Sequence, residues 1–122
     1  LPTEFEWEYA VRECGVLAPA SDGGITGFHP EPACPNDRES TLTQVFDAAW
    51  QWTSSAYLPY PGFQSPDGAI GEYNGKFMSG QMVLRGGASI TPRGHARLTY
   101  RNFFPASARW PFTGVRLADG PR

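Results

Sequence analysis

The stretch YRNFFPASARWPF, residues 100–112, sets five aromatic rings beside two arginines, one asparagine and two prolines. Aromatic faces attract quaternary ammonium ions at about 0.5–2 kcal/mol per contact. Arginine forks and amide donors meet carboxylates. These residue types suit the wall of a pocket for a cationic, carboxylate-bearing ligand. The same composition also describes a core segment whose arginines reach out to water along their aliphatic stems.

Other chemistry is missing from the inventory. The two histidines, His29 and His95, are far apart and fall in no H-x-x-H or H-x-x-x-H spacing, so neither reads as a metal ligand. There is no G-x-S-x-G nucleophile elbow and no phosphate-binding G-x-x-x-x-G-K-[ST] loop. Cys14 falls near a helix end, whereas thiolates are stabilised at helix N-termini. RGG at 85–87 is too short for a phosphate cradle and reads as a point where the backbone turns and packs closely. Catalysis by these residues on their own is not expected.

The 122 residues suffice for one domain and one modest core, with 40% hydrophobic and 18% charged residues. Fourteen glycines and twelve prolines lie well above the usual share of about 12% for the two together, so loops should dominate. A net charge of −2, a pI near 5.6 and the lack of a basic run argue against nucleic acid as a partner. No apolar run approaches the roughly 18 residues of a membrane span, and no secretory signal is present. A chain opening on LPTEFEWEYA reads as starting inside a longer protein, and a cytoplasmic location is expected. Two cysteines, Cys14 and Cys34, do not make a disulfide framework, and reduced thiols are the favoured reading.

The elements that must position the ring-rich stretch are short. Thr3 and Glu6 form an S/T-x-x-E capping box after Pro2, predicting a helix over 3–13 that Gly15 stops. Phe5 with Tyr9 and Trp7 with Val11 each share a helical face. Residues 15–40 read as loop. Residues 41–52 read as a short helix or an irregular turn feeding a strand, and 52–77 as mostly loop. QMVLRGG, 81–87, reads as a buried strand ended by two glycines. One helical turn is expected near 95–101, and a last strand over 112–118.

Three ordered motifs carry a family resemblance. LPTEFEWEYAVR, AWQWTSS and VLRGGAS with GVRLA resemble the signatures of the sulfatase-modifying-factor family, which includes the formylglycine-generating enzymes. AYLPYPGF, GEYNGKFM, QMVLRGG, TYRNFFP and ARWPFTGVRLA, with GFHP at 27–30, look like the C-terminal part of the hercynine oxygenases. The resemblance implies an α+β, loop-rich fold related to C-type lectins. It implies one partial domain over 1–122, with the rest of that domain and a helical iron-binding domain lying upstream. It also implies a non-haem iron(II) sulfoxide synthase that joins a thiol, cysteine or gamma-glutamylcysteine, to trimethylhistidine with dioxygen in ergothioneine biosynthesis. The iron ligands, three histidines in the family, are not in this chain.

The resemblance distributes roles residue by residue. Asn102, Phe103 and Phe104 would line the trimethylhistidine site. Arg109 and Trp110 would meet the thiol donor's carboxylates or pack beside them. Tyr73 would stand near the iron and give a proton during C–S bond formation. Arg85 and Arg116 are expected as structural ion-pair partners, and Trp50 and Trp52 as core. Ala48 replaces the polar residue that supports calcium in formylglycine-generating enzymes. The copper-binding cysteine pair of those enzymes is missing, and Cu(I) needs thiolates, so that activity is not expected. Ser89 stands where many hercynine oxygenases carry a cysteine. The competing expectations are a stand-alone lectin-like binding module and an inactive remnant on the same scaffold.

Overall fold

The computed structural model describes residues 1–18, 28–33 and 42–119, apart from the side chains of residues 72–74. The chain is α+β: helix α1 (Glu4–Glu13), strand β1 (Trp50–Ala56), helix α2 (Ala69–Phe77), and strands β2 (Gln81–Arg85), β3 (Asn102–Pro105) and β4 (Thr113–Val115). The four strands form one sheet in the order β3-β2-β1-β4. β2 runs antiparallel to both β1 and β3, while β4 runs parallel to β1.

Helix α1 forms as its end signals predict. The Thr3 hydroxyl accepts from Glu6 N–H, and the Glu6 carboxylate accepts from Thr3 N–H at 2.7 Å. At the other end Gly15 takes φ 65°. Its N–H donates to Arg12 O at 3.0 Å while Val16 N–H reaches Val11 O at 3.3 Å, which satisfies two late carbonyls of the helix. The buried face of α1 carries Glu4, Trp7 and Val11, while Phe5 and Tyr9 are exposed.

The irregular-turn alternative holds for residues 44–47, which bend before the backbone enters β1. Val45 and Phe46 from this turn join Trp7, Val11 and Ala96 in one core cluster. The second cluster, Trp50, Leu84 and Ala88, lies on the opposite sheet face, with Trp52, Tyr100, Phe104 and Phe112 packed against it. Two glycines make the join between β2 and the turn. A Cβ on Gly86, which has φ 93°, would stand 2.3 Å from Val45 O, and one on Gly87 would stand 2.5 Å from Phe46 O.

Three expectations need correcting. The region read as loop over 52–77 holds most of β1 and all of α2. Gly71 and Gly75 lower helix propensity and hid α2. Gly71 is there for space, since a Cβ would fall 1.7 Å from Pro66 O. The helical turn near 95–101 is instead two separate hydrogen-bonded turns, with His95 N–H on Pro92 O and Tyr100 N–H on Arg97 O. The last strand is shorter than 112–118, covering Thr113–Val115. Most of the 15–40 loop, and Cys34 within it, lies outside the described residues; Cys14 is exposed and free.

Candidate functional site

The ring-rich stretch becomes strand β3 and the turn that follows it. β3 forms the edge beside β2, with Asn102 opposite Leu84, Phe103 opposite Val83 and Phe104 opposite Met82. Alternation along a strand sends Asn102 and Phe104 to one face and Phe103 to the other. Phe104 faces the second core cluster and meets Trp110 edge-on, with centroids 4.8 Å apart at 80°. Trp110 is 76% exposed, so this ring pair opens to solvent. Asn102 is half-buried, and its Oδ1 accepts from Phe103 N–H at 2.9 Å. Arg109 is exposed beside Trp110. Tyr73 belongs to α2, and its side chain lies outside the described residues.

Phe103 lies against different company. Its ring stacks on Tyr57, with centroids 4.3 Å apart at 9°. The Arg101 guanidinium stands 4.7 Å from the Tyr57 ring and 4.4 Å from the Tyr60 ring. It donates to both Glu4 carboxylate oxygens at 2.8 Å and to Leu58 O at 3.0 Å. Arg101 is thus the arginine of the stretch that is held in place. Sequence reading singled out Arg109 and passed over Arg101. A signal was available: Glu4 shares a helical stripe with Trp7 and Val11 at i, i+3 and i+7, and a carboxylate on a buried stripe needs a cation.

Of the two arginines expected as structural ion-pair partners, Arg85 forms ion pairs, whereas Arg116 is held by neutral oxygens. Arg85 is fully buried and pairs with Glu8, while its Nε lies 3.8 Å from Glu4 Oε2. Its Nη1 donates to Leu98 O and Tyr100 O, tying the segment that leads into β3 to the sheet. Arg116 donates to Gln51 Oε1 at 3.0 Å and Thr43 O at 2.7 Å. Burial lowers its pKa, but a guanidinium stays charged under any physiological condition. Trp50 is core, and Trp52 is half-buried.

Helix α1 is docked on β1 through the T-S-S run. β1 changes register between Trp52 and Ala56, so four residues span what two span in β2. The bulged residues serve the helix: Ser54 N–H donates to Pro2 O at 2.8 Å, and the Ser55 side-chain Oγ accepts from Glu4 N–H at 3.0 Å. Thr53 Oγ1 fills the gap in the ladder by donating to Val83 O at 2.8 Å.

Three clefts lined by described residues lie elsewhere. A groove of about 320 Å³ runs along Phe5, Glu8, Tyr9, Arg12 and Tyr60. One of about 240 Å³ lies between α1 and the segment from Arg116 to Asp119, and one of about 190 Å³ lies between Pro30 and Arg116. None of the three includes Asn102, Phe103, Phe104, Arg109 or Trp110. Among the described residues no three His, Cys, Asp or Glu side chains converge on a possible metal position. His29 packs against Phe112 and His95 against Tyr100. Ala48 O accepts from Ser89 N–H at 3.0 Å, and Ser89 Oγ is buried without a hydrogen-bond partner. Among the described residues no helix is long and apolar enough to cross a membrane.

No protein-family model matches the chain. Individual proteins do. It is 31% identical over 124 residues to ergothioneine biosynthesis protein 1 of Schizosaccharomyces pombe, covering 96% of this chain and 16% of that protein. It is 33% identical over 144 residues to the hercynine oxygenase of Mycolicibacterium smegmatis, covering 97% of this chain and 32% of that protein. The hercynine oxygenase of Mycobacterium tuberculosis is 33% identical, with the same shares covered. The chain thus spans between about a sixth and a third of the curated relatives it matches. Over nearly its whole length, it is a homologue of one segment of the hercynine oxygenase and ergothioneine biosynthesis proteins.

Proposed function

We propose that this chain supplies a substrate-contacting portion of a hercynine oxygenase. The observation that carries this reading is the match of 96–97% of the chain to proteins of that name and pathway. The reaction joins a thiol donor, cysteine or gamma-glutamylcysteine, to the imidazole of trimethylhistidine. The thiol S–H and a ring C–H are lost and a C–S bond forms. Dioxygen oxidises the sulfur to the sulfoxide, and its second oxygen leaves as water.

In this reading Phe104 and Trp110 present ring faces and edges to the trimethylammonium group. Asn102, on the same strand face as Phe104, offers its amide N–H₂ to the carboxylate, because its Oδ1 is already engaged. Arg109 stays free to turn toward the thiol donor's carboxylate. Phe103 contributes from the other face, by holding the strand against Tyr57. Tyr73 is the proposed proton donor. The described residues do not fit an iron(II) site, so its ligands, and the helical domain that the resemblance implies for them, would come from outside these residues.

The test is Phe104→Ala in the complete gene product that contains this chain. Loss of one cation–ring contact should raise the KM for trimethylhistidine about 2- to 30-fold and leave the thiol's KM near its starting value. An unchanged KM for trimethylhistidine would overturn the assignment.

A further inference from the structure

We infer that Arg101 is a positioning residue: through Tyr57 and Phe103 it holds strand β3 so that Asn102 and Phe104 face the substrate. The inference rests on the function proposed above. β3 is a four-residue edge strand, supported by a ladder on one side only. Such a strand is free to shift or fray unless something else grips it. Arg101, the residue just before it, is gripped from every direction that its guanidinium offers. Glu4 holds Nε and Nη2 in a fork at 2.8 Å, and Leu58 O takes Nη1 at 3.0 Å. Tyr57 and Tyr60 cover it at 4.7 and 4.4 Å.

The contacts continue outward in a column. Phe5 approaches Tyr60 at 6.4 Å, Arg101 meets both tyrosines, and Tyr57 stacks on Phe103 at 4.3 Å. Phe103 is therefore fixed by a flat ring contact on the α1 side of the sheet. Its neighbours in the strand, Asn102 and Phe104, are fixed by the same backbone to point the other way. Glu4 is only 3% exposed in its side chain and is anchored in turn by Ser55, so the column starts from a rigid point. A lysine at 101 keeps the charge but cannot form the fork or offer a planar cation to the two rings.

The experiment compares Arg101→Lys, Tyr57→Leu, Tyr57→Phe and Phe104→Ala in the complete gene product. Each variant is assayed for its thermal midpoint and for the KM of both substrates. The expected result is a KM for trimethylhistidine raised about tenfold in Arg101→Lys and Tyr57→Leu, with the thiol KM unmoved and Tyr57→Phe restoring the parent value. A purely structural role would lower the thermal midpoint and the active fraction, hence kcat, without splitting the two KM values. That outcome overturns the inference, as does failure of both Arg101→Lys and Tyr57→Leu to fold. If Phe104→Ala raises the KM and Arg101→Lys does not, positioning is wrong and the proposed function stands. If neither raises it, the proposed function falls first.

Discussion

Close backbone approach is the dominant constraint at the residue scale. Gly86 combines φ 93° with a carbonyl oxygen 2.3 Å from where a Cβ would go, whereas Gly62 has φ 82° and open space around it. Left-handed backbone costs an L-residue about 1–2 kcal/mol, and overpacking about 1–3 kcal/mol more. Gly86→Ala should therefore destabilise the fold by about 2–5 kcal/mol and Gly62→Ala by about 1–2 kcal/mol. Urea midpoints of the two variants would show the difference, and equal losses would mean that the Val45 turn yields at little cost. The sequence already marked RGG as a place of close packing, since glycine pairs after a buried strand have few other uses. It could not show that the close neighbours are the Val45 and Phe46 carbonyls, because each lies 41 positions earlier in the chain than the glycine it meets.

At the element scale, helix α1 was legible from end to end and β3 was not. A capping box and a glycine stop are local signals, complete within a dozen residues. The Thr3 backbone N–H and then its hydroxyl hydrogen-bond to Glu6 and hold its carboxyl below its ordinary value. A carboxyl depressed in the folded state adds stability that is present above its unfolded pKa, roughly 4.3, and is lost as pH falls through the folded value. Glu6→Gln should therefore lower stability at neutral pH, where the charged carboxylate contributes, and flatten the acid limb, so that parent and variant converge as pH falls through the folded value. Thermal midpoints from pH 2 to 7 would check this, and parallel acid limbs for parent and variant would refute it. β3 was missed because NFFP reads by composition as a ring cluster ended by proline. Its strand character comes from pairing with β2, and Pro105 is tolerated because it closes an edge strand.

For the whole molecule, the notable feature is how much large apolar surface stays open. Trp110, Leu117, Phe5 and Tyr9 are each at least 60% exposed, and among the described residues the sheet has two short unpaired edges, β3 and β4. Exposed rings and strand edges drive association between copies. The 122-residue chain expressed alone should therefore show a mass that rises with concentration in light scattering. Trp110→Glu should reduce that rise. A mass that stays monomeric at high concentration would show that the edges are too short and the patches too scattered to associate.

By itself the sequence determined the relationship to the hercynine oxygenases, the first helix with its caps, the buried strand over 81–85 and the loop-rich α+β class. These follow from contiguous motifs and local end signals. Tertiary structure alone decided which of the ring-rich residues share a face. Strand alternation parts Phe103 from Asn102 and Phe104, and that parting exists only once β3 has paired with β2. It also decided which arginine is held. Arg101 and Glu4 are 97 positions apart, and a fork between them forms only when the bulge of β1 brings the helix start over the sheet. Contacts of that sequence separation leave no period and no motif in the chain.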